Sequence, residues 1–218
     1  MNNYTDIIFD FDGTVIDSGE GITRCVQYAL HRFGIEEPDR SRLRRFVGPS
    51  LSWALKTYYG FNDEQCVEGI RYYRELYLSE GIYQNTIYPG ITELLDALGA
   101  AGCTRYVASG KPEPFVEKIC EHMGLRDRFE YIAGADLKET RTSKAQIIQR
   151  AIGMNPSCDP AHVLMIGDRY LDINGAKENG VASAGILWGG YGTREEHIEA
   201  GADYIAETPA EILRIVCG

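Results

Sequence analysis

Six short apolar runs constrain this chain more than any other feature. Asp6–Phe9, Thr104–Ala108, Tyr131–Ala133, His162–Ile166, Ala184–Leu187 and Tyr204–Ala206 each stop at or near a polar residue or glycine, and helix-like stretches separate most of them. Runs this short and this continuously apolar suit strands buried on both faces, as in a parallel sheet with helices above and below. Alternation of such strands with helices predicts an α/β fold built on a doubly wound parallel sheet.

The regular alternation is interrupted once. Between the first and second runs lie about 90 residues without a convincing strand, in which apolar and aromatic residues recur at helical spacing. Ile22, Val26, Ala29, Leu30 and Phe33 form one such series; Trp53, Leu55, Tyr58 and Tyr59 form a second, and Ile70, Tyr73, Leu76 and Tyr77 a third. The expectation is an inserted α-helical cap over residues 17–86, with residues 1–16 and 87–218 forming the α/β core. Tyr88-Pro89-Gly90 is a turn signal, and the core pattern resumes with an amphipathic helix from Ile91 to Leu98. The chain shows no internal repeat, low-complexity tract or long charge run.

Composition then narrows the classes of function. A chain of 218 residues with 44% hydrophobic and 25% charged residues has the make-up of a globular protein. No apolar run approaches the roughly 18 residues needed to span a bilayer, and no basic segment leads into an apolar one at the amino terminus, so a cytoplasmic location is expected. The six cysteines, Cys25, Cys66, Cys103, Cys120, Cys158 and Cys217, contain no CxxC pair and read as reduced packing residues. A net charge of −10 argues against nucleic acid and anionic membranes as partners. A phosphorylated metabolite stays compatible, because a divalent cation supplies a local positive field inside an acidic protein.

Candidate chemistry lies at the ends of the apolar runs. Ile7-Ile8-Phe9-Asp10-Phe11-Asp12-Gly13-Thr14 places two carboxylates two residues apart, toward one side of an extended chain, before a glycine that permits a sharp turn. Like charges that close call for a cation or a raised pKa, although two acids at a strand end also occur as plain capping residues. Val163-Leu164-Met165-Ile166-Gly167-Asp168 repeats the pattern, with Asp172 four residues on. Open α/β sheets bind ligands beyond the carboxyl ends of their strands, so Asp10 and Asp168 can share one ion. Oxygen ligands of this kind suit Mg²⁺. The competing reading makes Asp168 an N-cap and Asp172 a first-turn acid of a helix over Leu171–Asn179.

Two weaker signals complete the set. Tyr106-Val107-Ala108-Ser109-Gly110-Lys111-Pro112 offers a hydroxyl and backbone N–H groups to phosphate oxygens, or is an ordinary strand-to-helix turn. Thr142-Ser143-Lys144-Ala145-Gln146-Ile147-Ile148 puts a lysine in the first turn of a helix, where the dipole disfavours a cation unless an anion is near. Taken alone, such a lysine is usually a solvated surface residue.

Together, DFDGT at Asp10, Ser109, Lys144 and GDxxxD at Asp168 and Asp172 resemble the haloacid dehalogenase superfamily. The resemblance is to its branch of phosphoglycolate phosphatases and 5′-nucleotidases with a Rossmann-like core and a helical cap. It runs through Val47-Gly48-Pro49-Ser50-Leu51 and Gly189-Gly190-Tyr191-Gly192.

What the resemblance implies is a Mg²⁺-dependent phosphatase acting on a small phosphomonoester such as phosphoglycolate or a nucleoside 5′-monophosphate. Asp10 would be the nucleophile that forms an aspartyl-phosphate, and Asp12 the general acid and base. Asp10, Asp168 and the Asp12 backbone carbonyl would hold Mg²⁺, with Asp172 behind them. Ser109 and the Gly110 amide would bind phosphoryl oxygens, and Lys144 would neutralise charge on Asp10 and the phosphoryl group. Gly110 departs from the Ser or Asn more usual there, and Lys111 is a rival for the lysine role, which is assigned to Lys144 because it heads a helix.

Other chemistries of the same build are weighed on the same residues. The dehalogenases lack the acid at Asp12, and phosphonate hydrolases need a cap lysine for which Lys56 is the one candidate. A hexose-phosphate mutase, a pyrophosphatase and a non-catalytic binding or regulatory module remain as alternatives, the last disfavoured by intact Asp10, Asp12, Lys144 and Asp168. Arg40, Arg42, Arg44 and Arg45 read either as a solvated helix face or as ligands for the far end of a substrate. The aromatic residues Trp53, Tyr58, Tyr59, Tyr72, Tyr73 and Tyr83 are mostly expected in the cap core, with a nucleobase platform as the other reading. Cap opening about Asp17–Gly21 and Asn85–Pro89 is expected to gate the reaction. Both a monomer and a homodimer fit the sequence.

Overall fold

The computed structural model of the chain describes residues 4–137 and 143–218; Thr142 of the fourth motif lies outside them. Two compact units emerge, one made of Met1–Ile16 with Ile87–Gly218 and the other of Asp17–Thr86. In chain order the elements of the first are β1 (Asp6–Phe9), then, beyond the insert, α4 (Ile91–Ala100), β4 (Thr104–Pro112), α5 (Glu113–His122) and β5 (Tyr131–Ala135). They are followed by α6 (Lys144–Gly153), β6 (Val163–Gly167), α7 (Tyr170–Glu178), β7 (Ala182–Ile186), α8 (Arg194–Ala200), β8 (Tyr204–Ala206) and α9 (Pro209–Cys217). The second unit carries α1 (Gly19–Arg32), α2 (Leu51–Tyr59) and α3 (Asp63–Ser79). The chain passes between the units through two-residue strands, β2 (Ile16–Asp17) and β3 (Thr86–Ile87), too short for residue periodicity to reveal.

The large sheet has the order β5-β4-β1-β6-β7-β8, and every adjacent pair in it is parallel. This is the doubly wound arrangement expected from the sequence, with the reversal of strand order falling beside β1. Period-two alternation sends Ile8 to one face and Ile7 and Phe9 to the other. On the first face Ile8, Tyr106, Ala108, Ala133 and Met165 pack with Ile147, Ile148 and Ala151 of α6 and Ala176 of α7. Fully burying a side chain such as Ile8 contributes roughly 1.5–3 kcal/mol. The apolar stripe of α4, Leu94, Leu95 and Leu98, is likewise buried, and α4 packs on α9 and β4.

Several strand ends differ from expectation. Before β6, Pro160–His162 is a 3-10 turn in which Asp159 Oδ1 accepts from Ala161 N at 3.0 Å, so His162 stands outside the strand. β7 starts two residues early, at Ala182, and ends at Ile186. β4 continues past Ala108 to Pro112, but its register with β5 shifts between Ser109 and Pro112, and this irregularity lies in the third motif. Cys25, Cys66, Cys103 and Cys120 are buried free thiols, as expected of packing residues. Cys217 is exposed, a correction: the buried stripe of α9 is Ile212 and Val216, and position 217 is turned away from it.

In the helical unit, Ser50 caps α2 through a hydrogen bond from Trp53 N, and Asn62 with Gln65 forms a reciprocal capping box on α3. The arginine cluster has partners inside this unit: Arg40 pairs with Glu20 at 2.6 Å and Arg42 with Glu37 at 3.5 Å, while the Arg45 guanidinium lies 4.2 Å from the Tyr58 ring centre. Of the aromatic residues expected in its core, Tyr73 is buried, whereas Trp53 is 51% and Tyr83 41% exposed. Among the described residues, no helix is long and apolar enough to cross a membrane.

Candidate active site

The carboxyl ends of β1, β4 and β6 carry the chemistry. Because β1 lies between β4 and β6, with Phe9 beside Val107 and Ile166, residues about 60 to 160 positions apart in sequence come together there. Asp10 N donates to Ile166 O at 2.8 Å, which joins the first motif to the strand leading to Asp168. Asp10 Oδ1 accepts from Phe11 N at 2.7 Å.

Lys144 opens α6 and finds the anions that a cation in a helix's first turn requires. Its Nζ lies 2.8 Å from Asp10 Oδ1 and 2.9 Å from Asp172 Oδ1, both as ion pairs, and donates to Ala108 O at 3.0 Å. Burial opposes its charge, but Asp10 and then Asp172 outweigh burial and hold its pKa above the usual lysine range.

Asp168 is buried with its Oδ1 unpartnered among the described residues. Burial first, then the charges of Asp10 and Asp172, push its pKa well above the ordinary carboxylate range. Asp10 is pushed up to about 7 by burial, against the pull of Lys144. One oxygen from each of Asp10, Asp168 and Asp172 lies within 4.8 Å of the others. An unpartnered buried carboxylate oxygen within a cluster of like charges fits a divalent cation with oxygen ligands. Asp172 Oδ1 likewise accepts no hydrogen bond among the described residues but lies in an ion pair 2.9 Å from Lys144 Nζ, and Arg169 N donates to Asp172 Oδ2 at 3.1 Å.

Two glycines make this density of carboxylates sterically attainable. Gly13 has φ +87°, and a Cβ there would lie 2.2 Å from Asp168 Oδ2. A Cβ on Gly167 would lie 2.1 Å from Asp172 Cγ.

Ser109 is buried at the irregular end of β4, where its Oγ accepts from Lys111 N at 3.1 Å; Gly110 follows it. Lys111 approaches a different acid from Lys144: its Nζ lies 2.6 Å from Asp12 Oδ1, with the two side chains only 7% and 8% exposed. The Asp12 carboxylate is therefore outside the group formed by Asp10, Asp168 and Asp172. Strand alternation does not carry the signal for this contact, since the register with β5 shifts between Ser109 and Pro112. A further contact had no sequence signal beyond the indole's need for an acceptor: Trp188 Nε1 donates to Thr14 O at 2.9 Å, next to the first motif.

A family model described as haloacid dehalogenase-like hydrolase matches residues 7–186. The chain belongs to the haloacid dehalogenase-like hydrolases. Its similarity to a 5′-nucleotidase of Pseudomonas aeruginosa is 43% identity over 88% of this chain and 86% of the relative. A crystal structure of a predicted phosphatase from Clostridium acetobutylicum superposes with a TM-score of 0.92 at 37% identity, covering 97% of each chain. The chain is also 34% identical to the tyrosine-protein kinase PtkA of Mycobacterium tuberculosis, over 95% of this chain and 67% of that one. Within the family this hydrolase is a phosphatase, with small phosphorylated molecules as its substrate class.

Proposed function

We propose that this phosphatase is a Mg²⁺-dependent nucleoside 5′-monophosphate hydrolase that works through an aspartyl-phosphate on Asp10. The observation that carries the mechanism is the pairing of Asp10 with Lys144 beside Asp168, whose buried Oδ1 has no protein partner among the described residues. The substrate class rests on the 43% identity to a 5′-nucleotidase.

In this reading Lys144 and Phe11 N occupy Asp10 Oδ1 and orient the carboxylate, so that Oδ2 faces the phosphorus. Oδ2 bonds to phosphorus as the ester oxygen leaves with the bonding pair, and Asp12 gives that oxygen a proton. Asp12 then takes a proton from water, whose oxygen attacks phosphorus and releases Asp10 and phosphate. Ser109 and the Gly110 amide hold phosphoryl oxygens, and Lys144 offsets their charge. Asp10, Asp168 and the Asp12 carbonyl would hold the cation, with Asp172 fixed behind them by Arg169 N. Bound Mg²⁺ would supply Lewis-acid neutralisation of the phosphoryl oxygens and relieve the repulsion among the acids.

The test is phosphate release over nucleoside monophosphates, phosphoglycolate, sugar phosphates and pyrophosphate, with Mg²⁺ and with chelator, for the parent and for Asp10→Asn. The expected result is fastest turnover of a nucleoside monophosphate, abolished by chelator and by Asp10→Asn. Turnover surviving Asp10→Asn would refute the nucleophile, and a different best substrate would refute the substrate class.

A further inference from the structure

The phosphatase site contains two buried lysines rather than one. Lys144 pairs with Asp10 and Asp172, while Lys111 pairs with Asp12, at 2.6 Å through Oδ1. An ion pair this deeply buried is close to neutral for folding once both charges are desolvated. Its consequence is geometric: a carboxylate with one oxygen tied to an ammonium has its second oxygen aimed in a fixed direction. Lys111 is itself anchored, because its backbone N–H donates to Ser109 Oγ at 3.1 Å within the irregular stretch of β4. The same residue thus fixes a hydroxyl proposed to hold the phosphoryl group and a carboxyl proposed to serve the leaving oxygen.

We infer that Lys111 is a positioning residue for proton transfer, holding Asp12 Oδ1 so that Oδ2 meets the ester oxygen of the substrate. The inference rests on the proposed role of Asp12 as acid and base. Lys111 acts through Asp12 and bonds to neither phosphorus nor the leaving group. The logic is that of a base oriented by a third group. Proton donation matters most when the departing oxygen is strongly basic, as in an alkyl ester, and least for a p-nitrophenyl ester, whose phenolate leaves unaided. The importance of Lys111 therefore scales with leaving-group basicity.

The experiment compares kcat/KM, which reports the first phosphoryl transfer, for an alkyl phosphate and for p-nitrophenyl phosphate in the Mg²⁺-loaded enzyme. Parent, Lys111→Met, Lys111→Arg, Asp12→Asn and the Lys111→Met/Asp12→Asn double variant are measured, together with inhibition by inorganic phosphate. Lys111→Met is expected to lose ~10²-fold on the alkyl ester, in line with the lower end of general acid catalysis, and at least tenfold less on the aryl ester. Phosphate inhibition should change less than about threefold, and Lys111→Met should add little once Asp12 is Asn. Lys111→Arg, which keeps the charge, should recover part of the loss and serves if Lys111→Met fails to fold.

Equal losses on both esters together with weakened phosphate inhibition would overturn the inference, since Lys111 would then bind the phosphoryl group directly. An undiminished effect of Lys111→Met in the Asp12→Asn background would overturn it as well. Failure of the underlying reading is distinguishable: Asp12→Asn itself would then show no preference for the alkyl ester, or Asp10→Asn would stay active.

Discussion

Lys144 Nζ stands 2.8 Å from Asp10 Oδ1, with both side chains about nine-tenths buried. The ammonium also reaches Asp172 Oδ1 at 2.9 Å, so one cation balances part of a group of acids. Replacing it with Met leaves those acids uncompensated, and Lys144→Met is expected to cost about 3 kcal/mol of stability near neutral pH. Phosphate release should fall by ~10²-fold or more. Urea unfolding at pH 7 and pH 5 checks the cause, because protonation of Asp10, whose carboxyl burial pushes up to about 7, should shrink the difference between variant and parent at the lower pH.

Removing metal should make stability fall as pH rises. In the metal-free protein burial pushes the Asp10 carboxyl up to about 7, with Asp168 also well above its ordinary range. Between an unfolded value of about 4 and these folded values, the native state binds more protons than the unfolded chain. That excess means stability is lost as pH rises through the window. Melting in chelator is expected at least ~4 °C lower at pH 8 than at pH 5.5. Added Mg²⁺ should close most of the gap, and Asp168→Asn should flatten the profile; a flat profile for the parent would contradict the electrostatic account.

Gly167→Ala tests the packing behind the acids. The added methyl would lie 2.1 Å from Asp172 Cγ, so the Asp172 carboxylate must move away from Arg169 N and Lys144. The expected cost is about 1–3 kcal/mol, typical of forced overpacking, with the helical circular dichroism retained. Phosphate release should drop with it, and Mg²⁺ titration by calorimetry should show weaker binding.

Trp188→Phe keeps an aromatic ring but removes the N–H that meets Thr14 O. The loss of one partly buried hydrogen bond predicts about 1 kcal/mol, read from the urea midpoint. Because Thr14 closes the first motif, kcat should fall further than stability alone would explain, while binding of inorganic phosphate stays within about threefold of the parent. An unaltered kcat would show that the indole only fills space.

The sheet and the edge that carries the acids are readable in the sequence because hydrophobic continuity, glycines and acids all fall at strand ends. Ile7–Phe9 and Val163–Ile166 announce buried parallel strands by composition alone, and their terminal acids follow directly. Strand limits were less legible: His162 and Ala182 are decided by a proline-led turn and by pairing with β6, which local propensity does not encode. Lys144 could be argued from its place at a helix start. The partner of Lys111 could not, since the register irregularity between Ser109 and Pro112 depends on the neighbouring strand. The arginines of the helical unit were legible as a charged cluster but not as paired residues, because Glu20 and Glu37 meet them only after the helices pack.

The place of β1 has a consequence for biosynthesis. This strand is synthesised before both of its hydrogen-bonded neighbours, β4 and β6, which begin at Thr104 and Val163. Asp17–Thr86 forms a compact unit and is complete before either neighbour exists. During translation an apolar segment carrying Asp10 therefore waits unpaired while the insert behind it has everything it needs to fold. Conditions that slow elongation between Thr104 and Gly167 would lengthen the interval in which that segment is open to chaperones and to misassembly.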